Sequence, residues 1–224
     1  MSDSGSESRI PAPPTAPSWI RALARPLVGT WLGLEIEGAG NVPTDGPVIL
    51  APHHRSHADV LAVGAATKRP LTYLGSAHLV EIPVAKWVLP RLGMIVVRRG
   101  EGDLDALRLC NELLAKGAAL VVFPEGGRTR DGKVYRPRSG VARLASTAGC
   151  PVVPAGIVGT DRIWAVGSRP RVGPGHVRVS FGAPIAPPTA DAGSRRRFAD
   201  ELHDALVGLS GAPRGQGFLV KDVG

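Results

Sequence analysis

Cysteine is almost missing from this chain, and the two present, Cys110 and Cys150, have neither metal-ligand spacing nor a pattern of paired bridges. A disulfide-stapled secreted scaffold and a cysteine-rich zinc module are therefore disfavoured, and both thiols read as small core residues. Aromatic residues make up only 4% and are not interleaved with the arginines. Base-stacking recognition of nucleic acid needs that interleaving, so nucleic acid is not expected as a partner. No run approaches the roughly 18 consecutive apolar residues of a membrane-spanning helix. The first stretch lacks the basic-then-apolar order of a secretory signal, which points to a cytoplasmic protein. It is rich in Ser and Pro and has no apolar core of its own, so residues 1–17 are expected as a disordered tail.

What remains is a basic, hydrophobic chain. With 224 residues, 43% hydrophobic, it has the size of one domain with a substantial core. The net charge of +8 comes mainly from arginine and calls for an anionic partner such as a lipid surface or a phosphorylated substrate.

Short apolar runs recur at 47–51, 71–75, 94–99, 119–123, 151–158 and 177–182, each near-continuous as in strands buried on both faces. Helical patterns alternate with them, notably from Asp103 to Gly117, from Ser139 to Gly149 and through the segment beginning at Ser194. The expected fold is α/β, a single domain with a largely parallel central sheet flanked by helices. Residues 18–36 differ from the rest. Trp19, Ile20, Leu23, Leu27 and Trp31 fall on one side at helical spacing and Arg21 and Arg25 elsewhere, which suits an amphipathic, membrane-facing helix broken or kinked at Pro26. The same apolar side could instead cover the domain's own core. Residues 37–210 would form the domain proper and 211–224 a flexible C-terminal tail.

The chemistry concentrates after the run ending at Ala51, where His53, His54, Ser56, His57 and Asp59 fall close together. A metal site would need further converging ligands, and no downstream His, Cys or Asp cluster completes a shell. Ser56 and Asp59 match the Ser-x-x-Asp pattern that caps a helix start. His54 is not explained by capping. Five positions before Asp59, its imidazole can fold back onto the carboxylate, which would fix the tautomer and ready the other ring nitrogen to take a proton from an alcohol. Downstream, Pro124-Glu125-Gly126-Gly127-Arg128 combines glycines that admit a close ligand with an arginine able to hold phosphate. Arg98 and Arg99 end another apolar run just before Gly100.

These blocks, taken together, resemble the glycerophospholipid acyltransferases typified by lysophosphatidate acyltransferase. The His-x4-Asp block is His54 to Asp59; the strand ending in Arg-Gly is matched at Gly93–Gly100 with Arg99 in the arginine position. The Phe-Pro-Glu-Gly-Thr-Arg block is matched by Phe123–Arg128, and the Val-Pro block by Val153-Pro154. Two departures stand out: His53 replaces the usual Asn, and Gly127 the usual Thr.

The resemblance implies transfer of a fatty acyl group from acyl-CoA or acyl-carrier protein to the free hydroxyl of a lysophospholipid acceptor, 1-acylglycerol 3-phosphate above all, giving phosphatidic acid. It implies His54 as base, held by Asp59, and Arg99, Glu125, Gly126, Gly127 and Arg128 as the substrate-binding set, with Glu125 bonding glycerol hydroxyls or ordering the arginines. The thioester is a co-substrate and neither a resident cofactor nor a metal is implied. Such an enzyme would work at an anionic membrane surface, peripheral to the inner face of the cell membrane. Another lipid alcohol, whether a lysophospholipid, a glycolipid or an ornithine lipid, and a non-catalytic lipid-binding module are the alternatives.

Overall fold

The structure, a computed structural model, describes residues 18–76, 94–97, 103–169, 171 and 174–220. Arg99, the stretch 1–17 and the last four residues lie outside the described residues.

Among the described residues seven strands form one sheet in the order β1-β7-β6-β2-β5-β3-β4. They are β1 (Leu34–Glu37), β2 (Val48–Pro52), β3 (Leu71–Ser76), β4 (Met94–Val97), β5 (Ala119–Val121), β6 (Val152–Val158) and β7 (Val177–Phe181). All neighbouring pairs are parallel except β6 with β7. Six of the seven coincide with the apolar runs read from the sequence. The seventh, β1, lies in the segment read as entirely helical, because only its Leu34 is even half-buried and an edge strand needs no apolar run.

Helices cover both faces. On one side lie α1 (Ser18–Leu32), α2 (Asp59–Ala66) and the short α5 (Thr160–Trp164); on the other lie α3 (Asp103–Ala115), α4 (Ser139–Ala148) and α6 (Ala192–Ser210). Strand β2 is buried throughout and shows why: Val48 and Leu50 enter the core under α1 and α2, whereas Ile49 and Ala51 enter the core under α3, α4 and α6. Burying Leu50 fully contributes roughly 1.5–3 kcal/mol.

Pro26 lies within α1 and does not end it. The helix serves two surroundings. Val28, Trp31 and Leu32 pack onto the domain's core and Arg25 Nε donates to the Ala65 carbonyl at 2.8 Å, while Leu23 and Leu27, one turn apart, are 61% and 71% exposed. No helix among the described residues is long and apolar enough to cross a membrane.

The segment 211–220, taken from sequence as part of a flexible tail, is docked along residues 134–138. Val134 N donates to Pro213 O at 2.9 Å, Gly215 N to Val134 O at 2.7 Å and Arg136 N to Gly217 O at 3.0 Å. Arg138 Nη2 reaches Leu219 O at 2.7 Å, and buried His203 joins Val134 O at 2.9 Å. Polar and glycine-rich composition suggested freedom; the backbone partners that remove it lie far away in sequence.

Candidate active site

The carboxyl ends of three adjacent strands, β6, β2 and β5, open into one place, where ligand sites of open α/β sheets form. Each contributes the segment that follows it: His53 to Asp59 after β2, Phe123 to Thr129 after β5, Gly159 and Thr160 after β6.

Asp59 organises the first segment. Its Oδ2 accepts from His54 Nδ1 at 2.7 Å and from the backbone N–H groups of Arg55 and Ser56, each at 2.8 Å, so the loop curls around one carboxylate oxygen. The other oxygen accepts from Thr160 Oγ1 at 2.6 Å. Burial pushes Asp59 upward, but the His54 hydrogen bond and charge, with those from Thr160 and Ser56, outweigh it and hold the carboxyl below its ordinary value. His54 is lowered: burial dominates, Asp59 opposes it, and the Arg128 charge adds to it. The imidazole is therefore neutral near neutral pH, with its proton on Nδ1 against Asp59 and a lone pair on Nε2. Its ring stacks on Phe123 with centroids 3.8 Å apart.

Ser56 does not cap the helix by its side chain, contrary to expectation. Helix α2 starts one turn later, at Asp59; the Ser56 hydroxyl accepts from Ala58 N at 3.0 Å and lies within 2.8 Å of the Thr160 carbonyl and 2.7 Å of that of Trp164. The three histidines occupy three different settings. His57 lies against the Trp164 ring, and buried His53 has Nδ1 at 3.4 Å from Ile157 N and Nε2 without a partner. Among the described residues no group of three or more His, Cys, Asp or Glu side chains is placed to hold a metal ion.

The loop after β5 grips the His54 peptide from both sides. Glu125 Oε2 accepts from His54 N at 2.8 Å, and Thr129 N donates to His54 O at 2.8 Å. Glu125 Oε1 accepts from Tyr135 N at 2.8 Å and the side chain is fully buried. Fully buried and bonded to two backbone amides, Glu125 fixes the His54 peptide, whereas the sequence suggested contact with glycerol hydroxyls or with the arginines. It also orders an arginine, through its carbonyl, which accepts from Arg138 Nε at 3.1 Å. Gly126 adopts φ 75°, open to glycine at little cost, with its N–H on Phe123 O. A Cβ on Gly127 would stand 3.1 Å from Leu219 Cδ2, so the docked C-terminal segment occupies the space where the usual threonine would project. Arg128 is half-buried, its pKa lowered by burial, and its buried Nε has no partner among the described residues.

Thr160 is a neighbour of the His54–Asp59 pair that motif spacing did not single out, and Phe123, read only as the start of a matched block, stacks on His54. Thr160 follows Gly159 at a strand end, which is a turn signal without chemical content; only the folded sheet brings it to Asp59.

Burial also sets a pH signature. His53 is lowered from 6.5 to about 4, so between those values the unfolded chain holds a proton that the folded chain rejects. Its contribution is complete above pH 6.5 and is lost as pH falls toward 4, about 3 kcal/mol in all. Glu125, raised to about 7 by burial, acts with the opposite sign, its contribution being lost as pH rises from 4.5 through 7. Urea unfolding of His53→Asn between pH 7 and 4 should show a loss of stability smaller by that amount than in the parent; identical curves would place the imidazole in a wetter setting.

Comparisons with known proteins bear on the fold and the family. The profile of the family described as Acyltransferase matches residues 33–158. The chain is 32% identical over 163 residues to a chloroplastic 1-acyl-sn-glycerol-3-phosphate acyltransferase of Brassica napus, covering 70% of this chain and 46% of that protein. It is 30% identical over 149 residues to a lyso-ornithine lipid O-acyltransferase of Pseudomonas aeruginosa, covering 62% and 55%. It thus spans about half the length of these curated relatives. The crystal structure of the 1-acyl-sn-glycerophosphate acyltransferase from Thermotoga maritima shares the fold at TM-score 0.69 and 24% identity, covering 85% of this chain and 78% of that one. With the family profile matching more than half of its residues, the chain belongs to the acyltransferase family.

Proposed function

We propose that this protein transfers a fatty acyl group from an acyl thioester, acyl-CoA or acyl-carrier protein, to the free hydroxyl of 1-acylglycerol 3-phosphate, giving phosphatidic acid. The observation that carries the choice of acceptor is Arg128: a half-buried guanidinium with an unpartnered buried Nε, close enough to the His54–Asp59 pair to lower the imidazole's pKa. A phosphate oxygen would satisfy that donor. In this scheme His54 Nε2 takes the hydroxyl proton as the oxygen attacks the thioester carbonyl. The tetrahedral intermediate then collapses, the C–S bond breaks, and the leaving thiolate takes the proton from His54. Asp59 holds the ring throughout, so no acyl-enzyme is required. Arg99 is the second proposed phosphate ligand.

Arg128→Ala should raise KM for lysophosphatidate about 10–100-fold, the loss of a hydrogen bond between charged groups, while melting changes little. The deciding assay uses purified protein, labelled acyl-CoA and two acceptors, lysophosphatidate and a lyso-ornithine lipid, the latter favoured by the 30% identity to the Pseudomonas enzyme. Acylation of the lyso-ornithine lipid alone, or an unchanged KM in Arg128→Ala, defeats the phosphate-acceptor assignment. No turnover with any acceptor would favour a lipid-binding module.

Leu23 and Leu27 supply a place for peripheral attachment to an anionic membrane, since α1 presents them to solvent while its other side holds the core. The double variant Leu23→Asp, Leu27→Asp should leave anionic vesicles in a sedimentation assay and keep its fold by circular dichroism. Undiminished vesicle binding would locate attachment elsewhere. Deleting α1 is a poorer test because Leu32 is fully buried.

A further inference from the structure

On the sheet face opposite α1, a groove of about 630 Å³ runs between the first turns of α4 and α6 and is closed at one end by Gly217 and Phe218 of the docked C-terminal segment. Four arginines, Arg136, Arg143, Arg195 and Arg196, line it among small and apolar residues. Arg136 is paired with Asp200, whereas Arg143, Arg195 and Arg196 make no ion pair among the described residues. The Phe218 side chain is left 53% exposed. Helix α4 begins in the groove without a side-chain cap, adding positive potential, whereas α6 is capped by Asp191 and adds none.

We propose that this groove binds the adenosine 3′,5′-bisphosphate end of a coenzyme A thioester, an inference that rests on the acyl-thioester donor proposed above. Three unpaired guanidiniums offer planar forks for several phosphates, and the exposed ring offers a face on which a purine stacks. The groove is open to solvent and has the volume of a small-molecule site. A bilayer touching Leu23 and Leu27 would lie across the sheet from it.

The groove is also joined to the catalytic loop. Its Arg136 N donates to Gly217 O, and two residues on Arg138 bonds Leu219 O, Pro124 O and Glu125 O. The pantetheine arm of a donor anchored here would follow residues 136–138 toward His54.

Calorimetric titration of the full chain with adenosine 3′,5′-bisphosphate needs no lipid, so its result stands apart from the identity of the acceptor. The parent should bind, and Arg143→Ala, Arg195→Ala, Arg196→Ala combined should weaken binding at least about tenfold. In turnover the same variant should raise KM for acyl-CoA about tenfold, leave kcat in place, and match the parent with acyl-pantetheine, which carries the thioester without the nucleotide. No binding by the parent, equal binding by the variant, or an equal loss with acyl-pantetheine overturns the proposal. So does loss of binding to phosphatidylglycerol vesicles with nucleotide binding intact. Failure to acylate lysophosphatidate while the bisphosphate still binds would overturn the acceptor assignment alone.

Discussion

Replacing His54 with alanine lowers kcat by about 10²–10⁴-fold, the usual worth of a positioned general base. The stability of the fold should change by only about 1–3 kcal/mol, because the ring contributes one stacking contact on Phe123 and one hydrogen bond. Both backbone bonds that hold the position, to Glu125 and from Thr129, survive the substitution. Its depressed pKa adds a second readout. The base works only when neutral, and burial favours the neutral form, so the acid limb of the kcat profile should lie below the ordinary 6.5 of a histidine. Full activity in His54→Ala, or an acid limb well above that value, removes His54 from the role.

Asp59→Ala should cost both activity and stability. The substitution strips the acceptor from His54 Nδ1, two backbone N–H groups and the Thr160 hydroxyl at once. Leaving such buried donors unpaired is worth about 3–5 kcal/mol, and the freed imidazole loses its fixed tautomer, with a rate loss of about 10²–10⁴-fold. Asp59→Asn, which keeps the shape and one acceptor oxygen, should recover most of the stability and little of the rate. Urea unfolding and kcat measured on the same preparations check this. If Asp59→Ala unfolds at the parent's midpoint, the hydrogen bonds around Oδ2 are not the loop's main support.

The contrast between these residues tracks what was legible in the sequence. Local pattern found β2, β3, β4, β5, β6 and β7 because strands of a largely parallel, helix-covered sheet carry near-continuous apolar runs, and it found the ends of α3 and α4 because Gly117 and Gly149 take positive φ there. The His54–Asp59 pair was legible because both partners sit in one loop. Glu125 was found by type but not in its contacts: spacing reports a carboxylate near the site, and only the fold shows it bonded to two backbone amides. Thr160 and the docked segment around Leu219 were invisible for the same reason, since their partners are brought in by sheet pairing and not by neighbouring sequence. Gly127, a departure without cause in the sequence, gains one beside Leu219.

Thr160 reaches Asp59 from 101 residues further along the chain. A growing polypeptide therefore carries the whole His-to-Asp motif, and later the glutamate loop, well before the strand that precedes Thr160 has paired with β2. Motif and competence arrive at different times during synthesis. Until β6 pairs with β2, the Asp59 carboxylate holds its own loop but lacks the Thr160 hydroxyl on its second oxygen.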